Sequence, residues 1–295
     1  MRVFVTGGAG FIGSAVVPEL IKAGHSVLGL ARSDANEAAL KAMGADVLRG
    51  SLGDLDSLRK GAAAADGVAH LAFIHDFANF TENGQIDKRA ITAMGETLEG
   101  TNKSLVVTSG VAMLAPGRLS TEEDVAHSGD GIPRLSEAAA FAFADRGVRV
   151  SAVRLPQVHG ADGKAGFVGY MYELARQKGV SAYVGDGSGR WAATHRQDVA
   201  PVYRLALEKG AAGARYHAVG DEGVRYRDIA EIIGRQLGVP TTSIPPEQAA
   251  EHFGWLTMFA ASDFPSSSAL TQQRLGWKPT QIGLIADISK PGYFG

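Results

Sequence analysis

Met1-Arg-Val-Phe-Val-Thr-Gly-Gly-Ala-Gly-Phe-Ile-Gly-Ser14 is the stretch of this chain that decides its fold. Residues 3–5 form an apolar run, and the segment from Thr6 to Gly10 is too rich in glycine for the interior of a helix. From Phe11 onward, apolar residues return at the spacing of one helix face. The stretch therefore predicts a strand, a tight turn and a helix in direct succession.

Three glycines of this turn lie three residues apart, at Gly7, Gly10 and Gly13. In a dinucleotide-binding turn the first glycine permits the sharp change of direction, the second leaves no Cβ in the way of a diphosphate, and the third lets the helix pack against the strand. The diphosphate then lies against N–H groups at the positive end of the helix. We therefore predict that these glycines bind a dinucleotide. An ordinary glycine-rich turn is the alternative interpretation.

The composition narrows the class of protein. The 295 residues are 45% hydrophobic, which is enough for a large core, and 38 of them are glycine, which suits a fold with many tight turns. A formal net charge of −2 gives no electrostatic reason to expect nucleic acid or a membrane as a partner.

The chain has no cysteine, and no pair of histidines has the i, i+4 spacing of a helical zinc site, so no metal is predicted. Neither a signal peptide nor a membrane-length apolar run is present, and we expect a cytoplasmic protein.

The end of the second predicted strand bears on the choice of dinucleotide. Residues 26–30 are a second apolar run, and positions 30–32 carry no acidic side chain that would accept hydrogen bonds from the ribose hydroxyls. Arg32 instead offers a planar cation for a ribose 2′-phosphate, with the hydroxyl of Ser33 beside it. We therefore predict NADP(H), with NAD(H) as the alternative. The other interpretation of Arg32 is a solvated loop cation, partly neutralised by Asp34.

Strands and helices alternate over the first half of the chain. Further strands are predicted at 46–49, 68–72, 105–109 and 148–155, separated by helices at 37–43, 55–61, 87–98 and 135–146. This alternation predicts an α/β fold, a Rossmann-type doubly wound parallel sheet that binds its ligand at the carboxyl ends of the strands. Shorter elements beyond Gly160 predict a smaller mixed α/β C-terminal lobe. We predict a dinucleotide-binding domain over 1–160, to which 190–219 returns, and a substrate-binding lobe from 161–189 and 220–295.

Seven short motifs follow one another in an informative order: Thr6-Gly-Gly-Ala-Gly-Phe-Ile-Gly13, Gly53-Asp54-Leu55, His70-Leu71-Ala72, Thr108-Ser109, Arg154-Leu-Pro-Gln-Val-His-Gly160, Thr194-His195-Arg-Gln-Asp198-Val-Ala200 and Leu275-Gly-Trp-Lys-Pro279. In this order they resemble the extended short-chain dehydrogenase/reductase superfamily, which contains NAD(P)-dependent sugar epimerases and dehydratases. The resemblance implies a set of further cofactor contacts. Thr6, Phe11 and Ile12 of the turn would contact the cofactor, Asp54 and Leu55 its adenine, and Leu71 and Ala72 would lie beside its nicotinamide ribose. The next two strands would add Thr108 and Leu155.

The resemblance ends at the residues that perform the chemistry. Members of the superfamily carry Tyr-x-x-x-Lys before the sixth strand, where the lysine lowers the tyrosine pKa and the tyrosine passes a proton to or from the substrate. Those positions fall at Gly129 and Pro133, and no tyrosine or lysine occurs between Ser109 and Arg154. The chain therefore resembles the atypical subgroup that keeps the cofactor turn and lacks the standard pair. Epimerisation or dehydration of a nucleotide sugar is disfavoured.

Three side chains are candidates for the chemistry. The resemblance places Ser109 at the end of the fifth strand, where its hydroxyl would meet a carbonyl, and His159 near the carboxamide end of the cofactor. His75 follows the fourth strand, and an imidazole titrates near neutrality. Each has a structural alternative: Ser109 merely ends its strand, His159 is a buried structural histidine, and His75 is a surface loop histidine.

Three further side chains are candidates for the substrate. By resemblance, Trp191 and His195 belong to a strand that lines the substrate cleft, although a tryptophan at a domain junction often serves packing. Arg134 lies next to the vacated lysine position and offers a cation to a phosphate or carboxylate. It is not a general acid, because a guanidinium keeps its proton.

These features together predict an NADP(H)-dependent oxidoreductase that acts on a small carbonyl, alcohol or similar unsaturated substrate. The alternative is a catalytically silent NAD(P)-binding redox sensor or regulator, whose second lobe would expose apolar surface to a partner protein. The resemblance also implies a homodimer.

Overall fold

The computed structural model describes residues 1–76, 79–112, 114–125, 134–160 and 165–295. Within these ranges the largest element is a seven-stranded parallel sheet. Its strands are β1 (Arg2–Thr6), β2 (Ser26–Ala31), β3 (Asp46–Arg49), β4 (Gly67–His70), β5 (Ser104–Gly110), β6 (Arg149–Leu155) and β10 (Ala214–His217). They lie in the order β10-β6-β5-β4-β1-β2-β3. The chain thus builds outward from β1 to β3, returns, and continues on the other side of β1, which places a ligand crevice at the carboxyl ends of β1 and β4.

Helices cover both faces of this sheet. The bounds are α1 (Gly13–Lys22), α2 (Asp34–Ala42), α3 (Leu55–Ala63), α4 (Phe80–Leu98), α5 (Ser136–Phe141), α6 (Gly166–Lys178), α7 (Arg196–Lys209), α8 (Tyr226–Leu237), α9 (Ala249–Phe253), α10 (Thr257–Ala260), α11 (Ala269–Leu275) and α12 (Leu284–Ile288). One core lies between the sheet and α1 and α7, and a second lies under α3, α4 and α5. In the described part of the chain, no helix is both long and apolar enough to cross a bilayer.

Two smaller sheets stand apart from the large one. The first consists of β7 (Gln157–His159), β9 (Arg190–His195) and β11 (Asp221–Arg225), with β9 parallel to β7 and antiparallel to β11. The second pairs β8 (Ser181–Val184) with β12 (Thr241–Ile244). A third core, with Trp191, Tyr226 and Phe253 among its members, packs beneath them. The predicted Rossmann-type sheet with a smaller mixed α/β lobe is confirmed.

Several helices differ from their predicted bounds, and the early start of α4 has a physical reason. The sequence predicts a helix from residue 87, whereas α4 begins at Phe80. Asn83 and Gly84 are poor helix formers, yet both are buried, and the Asn83 side chain donates to the backbone oxygen of Asp76 at 2.9 Å. Tertiary contacts therefore extend the helix past residues that disfavour it locally.

Two of the sequence motifs join each other in the folded chain. The carboxylate of Asp198, at the start of α7, accepts the backbone N–H groups of Thr280 and Gln281, each at 2.9 Å. The Trp277 indole donates to the Asp198 backbone oxygen at 3.0 Å. Asp198 thus ties the C-terminal segment to the large sheet, a structural role.

Candidate cofactor and substrate site

The glycine turn closes tightly onto the end of β4. Gly7 has φ +72°, and a Cβ there would lie 2.7 Å from the backbone nitrogen of Ala72. The backbone N–H of Leu71 donates to the Thr6 oxygen at 3.2 Å, and that of Ala72 donates to Thr6 Oγ1 at 3.3 Å. The structure therefore brings Thr6 and Gly7 together with Leu71 and Ala72.

The other two glycines have different surroundings. A Cβ on Gly13 would overlap the backbone oxygen of Gly7, whereas a Cβ on Gly10 would meet only that oxygen, at 3.2 Å. Gly13 thus allows close packing of α1, and Gly10 leaves open space beside the turn. The helix N-cap Ile12 provides no side-chain hydrogen bond, and the first turn of α1 contains no acidic residue. The positive end of α1 is left available for an anion, and these residues fit the diphosphate of a dinucleotide.

Arg196 adds a charge at this helix end that sequence reasoning missed. Its Nη1 donates to Ser14 Oγ at 3.1 Å and to the Phe11 backbone oxygen at 3.4 Å, and its guanidinium lies 5.5 Å from the Phe11 ring centroid. Arg196 begins α7, which packs along α1. Since 182 residues separate it from Ser14, no local sequence pattern indicates the contact.

The end of β2 keeps its cation exposed. Arg32 is exposed and makes no hydrogen bond or ion pair with any described residue. Asp34 does not neutralise it, because Asp34 is paired with Arg49 at 3.0 Å. Ser33 caps α2: its Oγ accepts the Asn36 N–H at 3.3 Å and donates to Asn36 Oδ1 at 2.5 Å. Arg32 is therefore available to a ligand, while Ser33 already has a structural partner.

The predicted adenine contact also begins a helix. Asp54 is the N-cap of α3, and its Oδ1 accepts the Ser57 N–H at 3.2 Å. Asp54 is nevertheless exposed, and Leu55 is half-buried beside it. Both side chains lie one strand beyond Arg32, just past the carboxyl end of β3.

A buried polar network runs from the glycine turn to the end of β5. Thr6 Oγ1 lies 2.8 Å from His70 Nδ1, and His70 Nε2 lies 3.0 Å from Asp87 Oδ1. Ser136 Oγ donates to Asp87 Oδ2 at 2.6 Å. Burial raises the pKa of the Asp87 carboxyl, but the hydrogen bonds and charges of its partners outweigh this and hold that pKa below its usual range. Asp87 is therefore an ionised, fully partnered group beneath the site.

Arg134 is attached to this network. Its Nε donates to Ser136 Oγ at 3.2 Å, its Nη2 donates to the Thr108 backbone oxygen at 3.0 Å, and its guanidinium lies 4.2 Å from the Phe73 ring centroid. Thr108 Oγ1 in turn donates to the His70 backbone oxygen at 2.8 Å and lies 2.6 Å from the Tyr203 hydroxyl. These contacts place Arg134 beside Ser109, at the carboxyl end of β5.

Ser109 lies close to the buried carboxylate of Glu137. Glu137 receives Arg154 Nε at 2.6 Å and Nη2 at 2.8 Å. Burial raises the pKa of Glu137, but Arg154, Ser109 and Arg215 together hold it below its usual range. Leu155 lies opposite the end of β5, where its backbone oxygen accepts the Val111 N–H.

His75 and His159 lie in different surroundings. His75 is on the surface, 5.3 Å from the Phe73 ring, and desolvation followed by the Arg134 charge lowers its pKa. His159 is buried, with Nδ1 2.8 Å from Asp287 Oδ2, while its Nε2 has no hydrogen-bond partner among the described residues. Burial lowers the pKa of His159, against the opposing effect of Asp287. His75 is therefore joined to the Arg134 end of the site, and His159 is held by the C-terminal helix α12.

The two residues of β9 that were predicted to line the substrate cleft, Trp191 and His195, both make contacts within the protein. Trp191 is buried in the core of the smaller lobe, and its indole donates to the Phe259 backbone oxygen at 3.0 Å. His195 Nδ1 accepts the Gln197 N–H at 3.2 Å as the cap of α7, and its ring lies 5.3 Å from that of His159. The structure does not bring Trp191 together with Ser109 through any described contact. Gly129 and Pro133, the positions of the missing pair, lie outside the described residues.

We expect acid to destabilise the fold through its buried histidines. Burial lowers the pKa of His217 to about 4, whereas the unfolded chain binds this proton near pH 6.5. The stability that the neutral imidazole supports is therefore complete above about pH 6.5 and is lost as the pH falls toward the folded pKa, by up to about 1.4 kcal/mol per pH unit. Urea unfolding between neutral and mildly acidic pH measures this slope. An unchanged slope in His217→Asn, which keeps a donor for the Ser267 oxygen, would contradict the assignment.

Comparison with known proteins agrees with this geometry. The sequence model of the NAD dependent epimerase/dehydratase family matches residues 3–219. An uncharacterized protein of Schizosaccharomyces pombe is 50% identical over 100% of both chains, and a decarboxylating sterol-4-alpha-carboxylate 3-dehydrogenase of Dictyostelium discoideum is 26% identical over 82% of this chain and 78% of its own. The crystal structure of UDP-glucose 4-epimerase from Thermotoga maritima with UDP-glucose superposes with a TM-score of 0.78, covering 100% of this chain and 98% of that chain at 21% identity. These matches confirm the resemblance carried by the motifs: the chain belongs to the NAD dependent epimerase/dehydratase family.

Proposed function

We propose that this protein is an NADP(H)-dependent oxidoreductase of the atypical short-chain dehydrogenase/reductase type, acting on a small carbonyl, alcohol or similar unsaturated substrate. The family is one of NAD-dependent enzymes, and the Dictyostelium relative carries the name of a dehydrogenase. The observation that carries the cofactor preference is the exposed Arg32, which lies one strand from the glycine turn without a carboxylate partner among the described residues. A ribose 2′-phosphate supplies the anion that this guanidinium lacks.

The cofactor, when bound, would supply the hydride. The residues of this chain would bind and orient the reactants and move the proton. Gly7 and Gly13 allow the tight turn and the close packing of α1, and Gly10 leaves room for the diphosphate at the start of α1. Ser109, at the carboxyl end of β5, donates a hydrogen bond to the oxygen of the substrate, whose own hydroxyl proton goes to His75. His75, with its pKa lowered by desolvation and by Arg134, is neutral at pH 7 and serves as the proton acceptor. This arrangement supports proton removal from an alcohol as the hydride leaves.

Replacing Arg32 by alanine should remove the preference for NADPH. A hydrogen bond between charged groups contributes about 1.5–3 kcal/mol, so the Kd for NADPH should rise about 10- to 100-fold, while that for NADH changes little. Quenching of tryptophan fluorescence on titration with each nucleotide measures both constants. Arg32→Asp should go further and favour NADH, because a carboxylate accepts hydrogen bonds from the ribose hydroxyls.

The matched control is Arg235→Ala, which removes an exposed arginine from α8 in the smaller lobe. It should leave both nucleotide affinities unchanged. Tighter binding of NADH than of NADPH by the unaltered protein would refute the role of Arg32. No binding of either nucleotide would refute the proposed function as a whole.

One observation favours the alternative of a redox sensor. Tyr170, Trp255 and Met258 are exposed on the smaller lobe, and apolar exposure there is what a partner-binding regulator would show. The polar groups at the end of β5, Ser109 and Arg134, favour an enzyme. Oxidation of NADPH with a panel of aldehydes and ketones, and reduction of NADP⁺ with the matching alcohols, separates the two. Nucleotide binding without turnover in either direction would favour the sensor.

A further inference from the structure

Arg134 has N–H donors that no described residue of the protein accepts. A guanidinium has five N–H donors, and the described contacts employ one on Nε, toward Ser136, and one on Nη2, toward the Thr108 backbone oxygen. The remaining donors lie on Nη1 and Nη2, at the end of the side chain. That edge is the one that binds a carboxylate through two parallel hydrogen bonds.

The charge of Arg134 is also uncompensated at close range. Among the described residues, no carboxylate forms an ion pair with Arg134, in contrast to Arg154, which has Glu137. Burial lowers the pKa of Arg134, and electrostatic interactions with Asp87, Tyr203 and Glu137 oppose this. A partly buried cation that has only neutral oxygens as direct acceptors among the described residues favours an anion from outside the protein.

The position of this group is fixed from two sides. Ser136, which accepts from Arg134, is itself bonded to Asp87, and the Phe73 ring lies against the guanidinium. The Thr108 oxygen belongs to the residue before Ser109, at the carboxyl end of β5, where this fold binds its ligand. Arg134 is thus a preorganised donor beside the predicted reacting position.

We propose that Arg134 binds an anionic group of the substrate, a carboxylate or a phosphate, next to the carbon that exchanges the hydride. The inference rests on the proposed function, because it places the substrate beside a bound cofactor. The planar donor edge fits a carboxylate best. The substrate class is therefore a hydroxy acid or its oxo acid. A substrate that carries a phosphate ester instead of the carboxylate would supply the same negative charge.

The test compares benzoate with benzamide, which have nearly the same shape and differ in charge, and adds phenylphosphonate as a second anion. Binding of benzoate, benzamide and phenylphosphonate to the full-length protein saturated with NADP⁺ is measured by calorimetry. Benzoate should bind at least about tenfold more tightly than benzamide, and Arg134→Gln should abolish that difference. Phenylphosphonate distinguishes the two anions: a preference for it over benzoate assigns the site to a phosphate.

Two variants serve as controls. Arg235→Gln removes an exposed positive charge in the smaller lobe and should leave benzoate binding unchanged. Arg134→Lys keeps the charge and loses the planar fork, so benzoate should bind with intermediate affinity. If Arg134→Gln does not fold, judged by circular dichroism, Arg134→Lys carries the test through the ratio of benzoate to benzamide affinity.

Several results would overturn the proposal. The proposal is wrong if the protein binds benzoate and benzamide with equal affinity, or if it binds neither benzoate nor phenylphosphonate. It is also wrong if the ratio of benzoate to benzamide affinity is undiminished in the Arg134 variants. A parallel loss of NADP⁺ affinity in Arg134→Gln would assign the cation to the cofactor instead. Because NADP⁺ binding is measured separately, failure of anion binding with intact NADP⁺ binding refutes this inference and leaves the proposed function standing.

Discussion

Gly13→Ala should abolish binding of the dinucleotide. The added methyl group would overlap the backbone oxygen of Gly7 and the Cα of Gly8. Backbone atoms cannot rotate away, so the turn must open or α1 must shift, and either change disturbs the cradle for the diphosphate. We expect the Kd for NADPH to rise by more than about 100-fold, which corresponds to more than about 2.7 kcal/mol. Fluorescence titration of the purified variant measures it.

Gly220→Ala is the matched control for this change. A Cβ at Gly220 would meet its nearest neighbour, Thr194 Oγ1, at 3.5 Å, an ordinary contact. It should bind NADPH as the unaltered protein does. Near-normal affinity in Gly13→Ala would show that the turn tolerates a side chain, and it would remove the steric basis of the cofactor site. Circular dichroism distinguishes loss of binding from loss of the fold.

Glu137→Gln should strongly destabilise the fold. It removes the carboxylate that pairs in two places with the fully buried Arg154, and it leaves that cation without an ionised partner among the described residues. Breaking a buried ion pair from one side costs about 3–5 kcal/mol, because the remaining charge stays desolvated. Urea unfolding should report a loss of this size.

Glu99→Gln is the corresponding surface change. Glu99 pairs with Arg146, and both side chains are about half exposed. An exposed pair contributes about 0–1 kcal/mol, so this variant should unfold at nearly the original urea concentration. Equal effects of the two substitutions would show that the Glu137–Arg154 pair is as hydrated as a surface pair, contrary to its burial.

The cofactor half of the site could be predicted because it is local in sequence. Gly7, Gly10 and Gly13 lie within one turn, and their spacing alone indicates a strand, a diphosphate cradle and a helix. Arg32 lies at the end of the next strand, and the apolar run at residues 26–30 predicts where that strand ends. The structure adds that Asp34 pairs with Arg49, which no spacing rule would indicate.

The catalytic half could not be predicted in the same way, because its contacts join distant segments. Asp87 meets His70 and Ser136 across 17 and 49 residues, and Glu137 meets Arg154 across two different elements. Neither Asp87 nor Glu137 was assigned to the site from the sequence. The signal in the sequence was an acidic residue on an otherwise apolar helix face. Such a residue indicates a polar partner but does not identify which residue that partner is.

The sequence by itself determined the order of strands and helices, the spacing of the glycines in the first turn and the lack of tyrosine and lysine between Ser109 and Arg154, because these depend on residue type and on the spacing of a few positions. Only the tertiary structure decided which charges are compensated. It pairs Glu137 with Arg154 and Asp34 with Arg49, buries Trp191, and leaves Arg32 and Arg134 without carboxylate partners among the described residues. The physical reason is that the free energy of a charge depends on its burial and its neighbours, and both are set by segments that meet only when the chain has folded.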